Sequence, residues 1–404
     1  MGHERRSTPT TSRNGSRRAP RVGVWRLLLL AFVPGCVIPI STVNPSADGG
    51  EGADGSQPSG NLTWLSGAPT GTWTNDTGNL ANMPSQCGNL SHLIAKPDED
   101  LLIAGIAGDG LWGSRDGGAS WQLLGTGSNA TAPITNRTSA IVFDPQNTAR
   151  YWESGLYNST GVYSTSDDGT TYLPLGNSHH CDLVSIDFTD PNRQTLLAGG
   201  HEQSQTLNLS TDGGMTWSSI GIGLPPSTNC TFPLVIGAKT FLVGCGGFGG
   251  GVTGVWRSID SGMTWASTTT LGAYYAPLVA SDGSIYWSSP NDAGMGRSTD
   301  QGQTWSSVIV SPYSVVTIPP IELPDGRIAT LGPSTGDQYV LLSADHGATW
   351  KPASAALPYS DAFGVTYSSQ RKAFYVWHWS CGSDANVPVP TDAVMSFPFD
   401  YTTN

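Results

Sequence analysis

Short apolar runs, each closed by a turn signal, follow one another through most of the chain and predict strands. Residues 183–220 show the pattern: runs at 183–188, 195–199, 206–210 and 217–220 are separated by polar segments rich in Gly, Pro and Asp. Runs of this length between turn residues are typical of strands joined by hairpins. The Ala, Leu, Glu, Lys and Arg patterning that long helices need is nearly absent. We therefore predict an all-β protein with many short strands.

One octapeptide, Ser/Thr-x-Asp-x-Gly-x-Ser/Thr-Trp/Tyr, recurs six times at intervals of 40 to 51 residues. A fixed period of this size is the signature of a repeat architecture. An Asp side chain accepts backbone hydrogen bonds in a tight turn, Gly supplies a position with positive φ, and the aromatic ring packs against a sheet. These aspartates are therefore predicted to be structural: Asp116, Asp167, Asp212, Asp260, Asp300 and Asp345.

The octapeptide resembles the Asp-box (BNR) repeat of sialidases, sortilin-type receptors, some β-glucanases and a photosystem assembly factor. In that family the repeat is the hairpin between strands three and four of a β-propeller blade, opposite the active or binding face. The resemblance implies four-stranded antiparallel blades here, six of which carry the octapeptide.

Three predicted strands, at 363–368, 373–379 and 393–399, follow the sixth octapeptide, and one near 71–77 has no partner. Placing the N-terminal strand outermost in a seventh blade joins the two ends of the chain. Such closure removes the sheet edges that would otherwise aggregate. We expect a seven-bladed β-propeller; six blades with terminal decoration is the alternative.

The start of the chain has the pattern of an export signal. Residues 1–26 carry seven Arg and one Glu, and an apolar run at 27–33 leads to Val33-Pro34-Gly35-Cys36. A basic start, an apolar middle and a small-residue exit are typical of secretory signals. The tetrad resembles a bacterial lipobox, which implies lipidation of Cys36. We predict a signal at 1–36, a flexible linker at 37–60 and the propeller at 61–404, in an outer-membrane or cell-surface lipoprotein; the alternative is a secreted protein.

Charge excludes one class of function. The net charge is −12, and removal of residues 1–36 makes it −18. An exported protein of this charge has no electrostatic reason to approach nucleic acid. We expect a monomer without a cofactor that meets the membrane only through its anchor.

Cysteine positions suggest two disulfides. Cys230 and Cys245 lie opposite each other in a hairpin predicted at 231–236 and 240–244, so we predict a bond between them. Cys87 and Cys381 fall in the first and seventh blades, where a bond could fasten the ring. Cys181 is then left over, either as a free thiol or as a sign of a different pairing.

Loops opposite the octapeptides form what we call the top face. They join strand four to the next strand one, and strand two to strand three. Candidate binding residues there are Arg137, Tyr157, His179, His180, His201, Glu202, Tyr274, Tyr275 and Asp361.

The residues of this face fit three functions to different degrees. A sialidase-like glycosidase would hold a sugar carboxylate with three Arg, but only Arg137 among the eight Arg beyond residue 36 is placed on top. His179, His180 and Cys181 with His201 and Glu202 would suit zinc or copper, unless they are a polar rim. We favour a non-catalytic module that binds extracellular glycan or protein; an exo-sialidase-like glycoside hydrolase is the alternative.

Overall fold

The computed structural model describes residues 67–403, except 88, 129–133, 158–159, 247–250, 290–293, 309–317, 334–336 and 381–386. The predicted signal with Cys36, the predicted linker and Cys381 lie outside the described residues.

Twenty-eight strands form seven four-stranded antiparallel sheets. Strand β1 is Thr74–Asn75, and blade 1 contains β2 Leu90–Ala95, β3 Leu102–Ile106, β4 Gly110–Ser114 and β5 Gln122–Leu123. Blade 2 contains β6 Arg137–Phe143, β7 Tyr151–Leu156, β8 Val162–Thr165 and β9 Leu173–Pro174. Blade 3 contains β10 Cys181–Ile186, β11 Leu196–Gly200, β12 Leu207–Ser210 and β13 Ser218–Ser219. Blade 4 contains β14 Cys230–Gly237, β15 Thr240–Cys245, β16 Gly254–Ser258 and β17 Ala266–Thr269.

The remaining strands complete the ring. Blade 5 contains β18 Tyr274–Val279, β19 Ile285–Ser289, β20 Gly294–Ser298 and β21 Ser306–Ser307. Blade 6 contains β22 Ile321–Glu322, β23 Ile328–Gly332, β24 Tyr339–Ser343 and β25 Lys351–Pro352. Blade 7 contains β26 Ala362–Ser368, β27 Ala373–His378 and β28 Val394–Pro398, with β1 as its fourth strand. The helices among the described residues are two short 3-10 turns, Gly78–Leu80 and Gly221–Gly223.

The seven-bladed ring predicted from the sequence is confirmed, and the six-bladed alternative is wrong. Strand β1 pairs antiparallel with β28, Thr74 opposite Ser396 and Asn75 opposite Met395. Beyond the strand, Thr77 Oγ1 accepts from the backbone N–H of Val394 at 3.0 Å. The closing strand is only two residues long, shorter than the run expected at 71–77, but it still covers the outer edge of β28.

Each octapeptide forms the hairpin between strands three and four of its blade. In the first copy, the Ser114 hydroxyl donates to Asp116 at 2.8 Å and accepts from the Gly118 N–H at 2.8 Å, while the Ser120 N–H donates to Asp116 at 2.9 Å. The same bonds recur in the other five copies. In the first copy the Ser120 hydroxyl, which also donates to Asp116, lowers the pKa of Asp116 to about 2 together with the Ser120 N–H and the Ser114 hydroxyl.

The turn places two consecutive residues at positive φ, one more than the sequence suggested. Gly117 and Gly118 have φ of 80° and 100°, and the equivalent pair Asp168 and Gly169 has 60° and 78°. Two consecutive residues in the left-handed region match the twist of a tight hairpin. This conformation favours Gly or a short polar residue at the first of the two positions.

Ion pairs between neighbouring blades line the face that carries the octapeptides, which we call the bottom face. Arg193 of blade 3 reaches Asp144 of blade 2 at 2.9 Å, and both side chains are almost fully buried. Arg371 of blade 7 reaches Asp100 of blade 1 at 2.7 Å, across the closure of the ring. These pairs join successive blades at turns where the sheets themselves do not hydrogen-bond.

The cysteines agree with the hairpin prediction. Cys230 and Cys245 face each other in the register of β14 and β15 and form a disulfide, as predicted. Cys181 is a buried free thiol. Cys87 is disulfide-bonded, and because Cys381 is outside the described residues their pairing stays a prediction. In the part of the chain that the structure describes, no helix has the length and apolarity needed to cross a bilayer.

Candidate binding site on the top face

The innermost strands of six blades are irregular close to their top ends. Each loses register with its partner strand near its start, which is the behaviour of a β-bulge. Bulges turn a side chain away from the sheet and are common beside functional sites. The residues skipped in the ladder are Ser91, Ser139, Asp182, Thr231, 275–277 and Phe363.

Four aromatic rings form a continuous row on this face: three lie on the innermost strands of blades 4, 5 and 7, and the fourth directly follows β27 of blade 7. The ring centroid of Tyr275 lies 5.7 Å from that of Phe232 and 6.0 Å from that of Phe363. Phe363 in turn lies 5.0 Å from Trp379, and the guanidinium carbon of Arg137 stands 4.5 Å above the Trp379 ring. Tyr275 and Phe363 belong to blades 5 and 7, which are not neighbours. The row therefore crosses the mouth of the central channel.

A pocket opens beside this row, between blades 3, 4 and 5. Blade 3 contributes Asp182 and Glu202 to its lining, which we call the acidic wall, and blade 5 contributes Tyr274 and Tyr275. Its other lining residues are Asn229, Thr231, Phe232 and Gly246. A Cβ atom at Gly246 would stand 2.9 Å from the Tyr274 ring, so glycine allows this close approach.

A hydrogen-bonded chain of three side chains supports the acidic wall. His201 Nδ1 lies 2.8 Å from Asp182 Oδ1, and His201 Nε2 lies 2.8 Å from the Tyr157 hydroxyl. The imidazole is 8% exposed, so its orientation is fixed by these two partners. Tyr157, Glu202 and Tyr275 all have positive φ, at 74°, 52° and 58°. Such backbone strain in residues other than Gly collects at functional sites.

The structure brings together most of the predicted top-face residues of blades 2 to 5. The N–H of Tyr157 donates to His180 Nδ1 at 3.0 Å, and burial lowers the pKa of His180, with His201 and His179 adding to the effect. His179 instead pairs with Thr160 in a β-bridge. Cys181 is buried, and burial raises the pKa of its thiol.

The proposed metal ligands do not converge. Among residues 67–403, leaving aside those not described, no three His, Cys, Asp or Glu side chains are grouped closely enough to hold a metal ion. Cys181 points its sulfur at the carbonyl of His179, at 3.6 Å, and His201 is turned toward Asp182 and Tyr157.

Asp361 lies apart from these residues, in blade 7. Its carboxylate is 3.6 Å from His378 Nδ1, and Asp392 is 3.4 Å from His378 Nε2. The Tyr359 ring stacks on this imidazole with centroids 4.3 Å apart. The top face thus has a second histidine flanked by two carboxylates, His378, which is not part of the pocket lining.

Arginines are almost all on the bottom face. Seven of the eight Arg in residues 67–403 contact groups in bottom-face turns: Arg115, Arg150, Arg193, Arg257, Arg297, Arg327 and Arg371. Arg137 is the exception, and its guanidinium is stacked on Trp379.

Sequence reasoning missed Asp182, Phe363 and Trp379. Asp182 follows Cys181 at the start of a strand, and nothing in its sequence context shows that a bulge turns it toward His201. Phe363 and Trp379 look like ordinary strand residues. Only the strand ladder and the ring geometry reveal their position.

No protein-family model and no curated protein sequence matches the chain. Among solved structures it is similar to a GH74 enzyme of Niastella koreensis, with 16% identity, a TM-score of 0.55, and coverage of 81% of this chain and 53% of that one. It is also similar to the extracellular domains described as belonging to the hybrid two component systems BT4673 and BT3049 of B. thetaiotaomicron. The BT4673 domain has 10% identity and a TM-score of 0.53, and the match covers 81% of this chain and 39% of that one. The BT3049 domain has 9% identity and a TM-score of 0.53, and the match covers 76% of this chain and 39% of that one. The chain spans about half or less of these proteins, and what it shares with them is the β-propeller fold.

Proposed function

We propose that this protein is an exported glycan-binding module whose binding surface is the top face. The observation that carries the proposal is the row formed by Phe232, Tyr275, Phe363 and Trp379 across the channel mouth, with a polar pocket at its side. Flat aromatic surfaces stack on sugar rings, and carboxylates and amides beside them bond the hydroxyls. Asp182, Glu202 and Asn229 supply such groups.

The protein acts by binding rather than by cleavage in this proposal. Of the eight Arg among the described residues, seven are held in bottom-face contacts and Arg137 stacks on an aromatic ring, so no three of these eight are gathered around a sugar carboxylate. The fold itself is found in a GH74 enzyme and in extracellular domains, and a fold of this kind hosts many functions.

Export and anchoring belong to the same proposal. The basic and apolar segments of residues 1–33 and the lipobox-like tetrad ending at Cys36 support a cell-surface lipoprotein. The six octapeptide turns, with their shared hydrogen bonds, support membership of the Asp-box class of propellers. Labelling bacteria with a palmitate analogue tests the anchor: the full chain should take up label and Cys36→Ser should not. Equal labelling of both would contradict lipidation at Cys36.

Binding is tested by titration calorimetry of residues 61–404 against soluble oligosaccharides of different backbones. We expect one class to bind, and Trp379→Ala to weaken that binding by about tenfold, since loss of one stacking ring costs on the order of 1–2 kcal/mol. Met215→Ala, which truncates an exposed side chain of a bottom-face turn, is the matched control and should bind like wild type. Failure of the whole panel to bind, or equal affinity of the Trp379 variant, would contradict the proposal.

A glycoside hydrolase is the second candidate, because Asp182 and Glu202 face one pocket and glycosidases use two carboxyl groups. If the protein hydrolyses fluorogenic glycosides and Glu202→Gln abolishes this activity, the hydrolase proposal replaces the binding-module proposal.

A further inference from the structure

The lining of the pocket between blades 3, 4 and 5 contains acidic side chains and no basic ones. Of its eight lining residues two are acidic and none is Lys, Arg or His. Arg137, the arginine that the described residues place on the top face, is engaged on Trp379. A ligand that fills this pocket must therefore face two carboxylates without a basic side chain of the lining to neutralise them.

The Asp182 carboxylate is held in place, and Glu202 lies beside the same histidine. Asp182 stands at a bulge and is fixed by His201 at 2.8 Å, and that imidazole is fixed in turn by the Tyr157 hydroxyl at 2.8 Å. Glu202 Oε1 lies 3.7 Å from His201 Nε2, and the side chain projects from a residue with φ of 52°. Preorganised carboxylates lose little entropy when a ligand binds, so they add affinity for a group of opposite charge.

Aromatic residues of blades 4 and 5 line the same pocket as these acids. The Phe232 ring lies 5.7 Å from Tyr275 and 6.3 Å from Tyr274, and Gly246 leaves room for the Tyr274 ring. Ring faces attract cations through their quadrupole. Ammonium groups also form charge-assisted hydrogen bonds to carboxylates, which are stronger than those of hydroxyls.

We propose that the pocket binds the free ammonium group of an amino sugar, so that the glycan taken up by the top face is one with unacetylated amines. This inference rests on the proposed glycan-binding function and specifies its ligand class. An acetylated amine has no charge for Asp182 and Glu202 and adds an acyl group to a small pocket. A hydroxyl at the same carbon keeps the sugar shape without the charge.

Three β-1,4-linked hexasaccharides with one backbone test the inference: those of glucosamine, N-acetylglucosamine and glucose. In calorimetry at a pH where the amine is protonated, the glucosamine hexamer should bind at least tenfold more tightly than the other two. Its affinity should fall as salt rises, because charge pairing is screened. Asp182→Asn, which retains an acceptor for His201, and Glu202→Gln should each reduce the preference several-fold. Asp98→Asn, which makes the same chemical change at an exposed acid of a bottom-face turn, is the matched control and should keep it.

The outcomes separate this inference from the function on which it rests. Equal affinity for the three hexamers, or an undiminished preference in both pocket variants, would overturn the amino-sugar inference while glycan binding stands. If none of the three hexamers and no member of the wider oligosaccharide panel binds, the proposed function fails and this inference fails with it. Melting curves of all variants, matched to wild type, show that each is folded.

Discussion

Glu153 should make the protein less stable as the pH rises through neutrality. It lies on β7 inside blade 2 with no exposed surface, and the Asn136 amide donates to its carboxyl at 3.3 Å. Burial raises the pKa of Glu153 to about 8, from an ordinary value of 4.5, and the neighbouring Thr138 and Asn136 only partly oppose this. At neutral pH the folded protein therefore keeps a proton that the unfolded chain releases.

The sign and size of the effect follow from proton linkage. Between pH 4.5 and 8 the unfolded state binds fewer protons at this residue, so the stability contributed by neutral Glu153 is full below pH 4.5 and decreases up to pH 8. The slope is about 1.4 kcal/mol per pH unit for one proton. From pH 5.5 to 7.5 the loss amounts to roughly 2.5 kcal/mol, slightly reduced near the top by titration of the folded state.

Glu153→Gln removes the proton exchange and keeps the shape and the hydrogen-bonding capacity. Urea unfolding of both proteins at several pH values gives the free energy of unfolding, and the difference between them isolates this residue. The contributions of other titrating groups are the same in both proteins and cancel in the difference. One of these groups is His92: burial lowers its pKa to about 4, so its effect on the free energy of unfolding has the opposite sign. We expect the variant to gain about 2.5 kcal/mol on wild type between pH 5.5 and 7.5.

Glu202→Gln is the matched control, since it makes the same chemical change at a side chain that is 47% exposed. Its stability curve should run parallel to that of wild type. A constant gap between wild type and Glu153→Gln over this pH range would refute the reasoning, because it would mean that the Glu153 carboxyl titrates alike in folded and unfolded chains.

Three further predictions concern the closure of the ring and the cysteines. Replacing Cys230 and Cys245 by Ser should lower the free energy of unfolding by roughly 3 kcal/mol, because the bond closes a loop of 15 residues; a variant as stable as wild type without reductant would contradict this. A chain that starts at residue 78 lacks β1 and exposes the edge of β28, so it should self-associate in size-exclusion chromatography. A chain that starts at residue 67 keeps β1 and should remain monomeric. If both chains elute as monomers, β1 does not protect this edge. Cys181 should react with a thiol reagent in urea and not in the folded protein, since its thiol is buried and burial raises its pKa; rapid labelling of the native protein would show that blade 3 opens there.

Local features of this protein could be predicted from the sequence because the interacting residues are close along the chain. The bonds of the first octapeptide join Ser114, Asp116 and Ser120, and the Cys230–Cys245 bond follows from the register of one hairpin. The closing strand was predictable for another reason. The strand count leaves three strands after the last octapeptide and one unpaired strand near the N-terminus, and an unpaired sheet edge is unfavourable.

The top-face site depended on tertiary structure. Tyr275 and Phe363 meet across the channel only because a seven-bladed ring of this width brings blades 5 and 7 within reach of two side chains. Asp182 reaches His201 because a bulge shifts the strand register at that residue, and the sequence pattern of a strand is the same with or without the bulge. The sequence determined the blades, since their hydrogen bonds and turns are local. The ring decided which residues form the site, since their contacts depend on how seven blades pack around one axis.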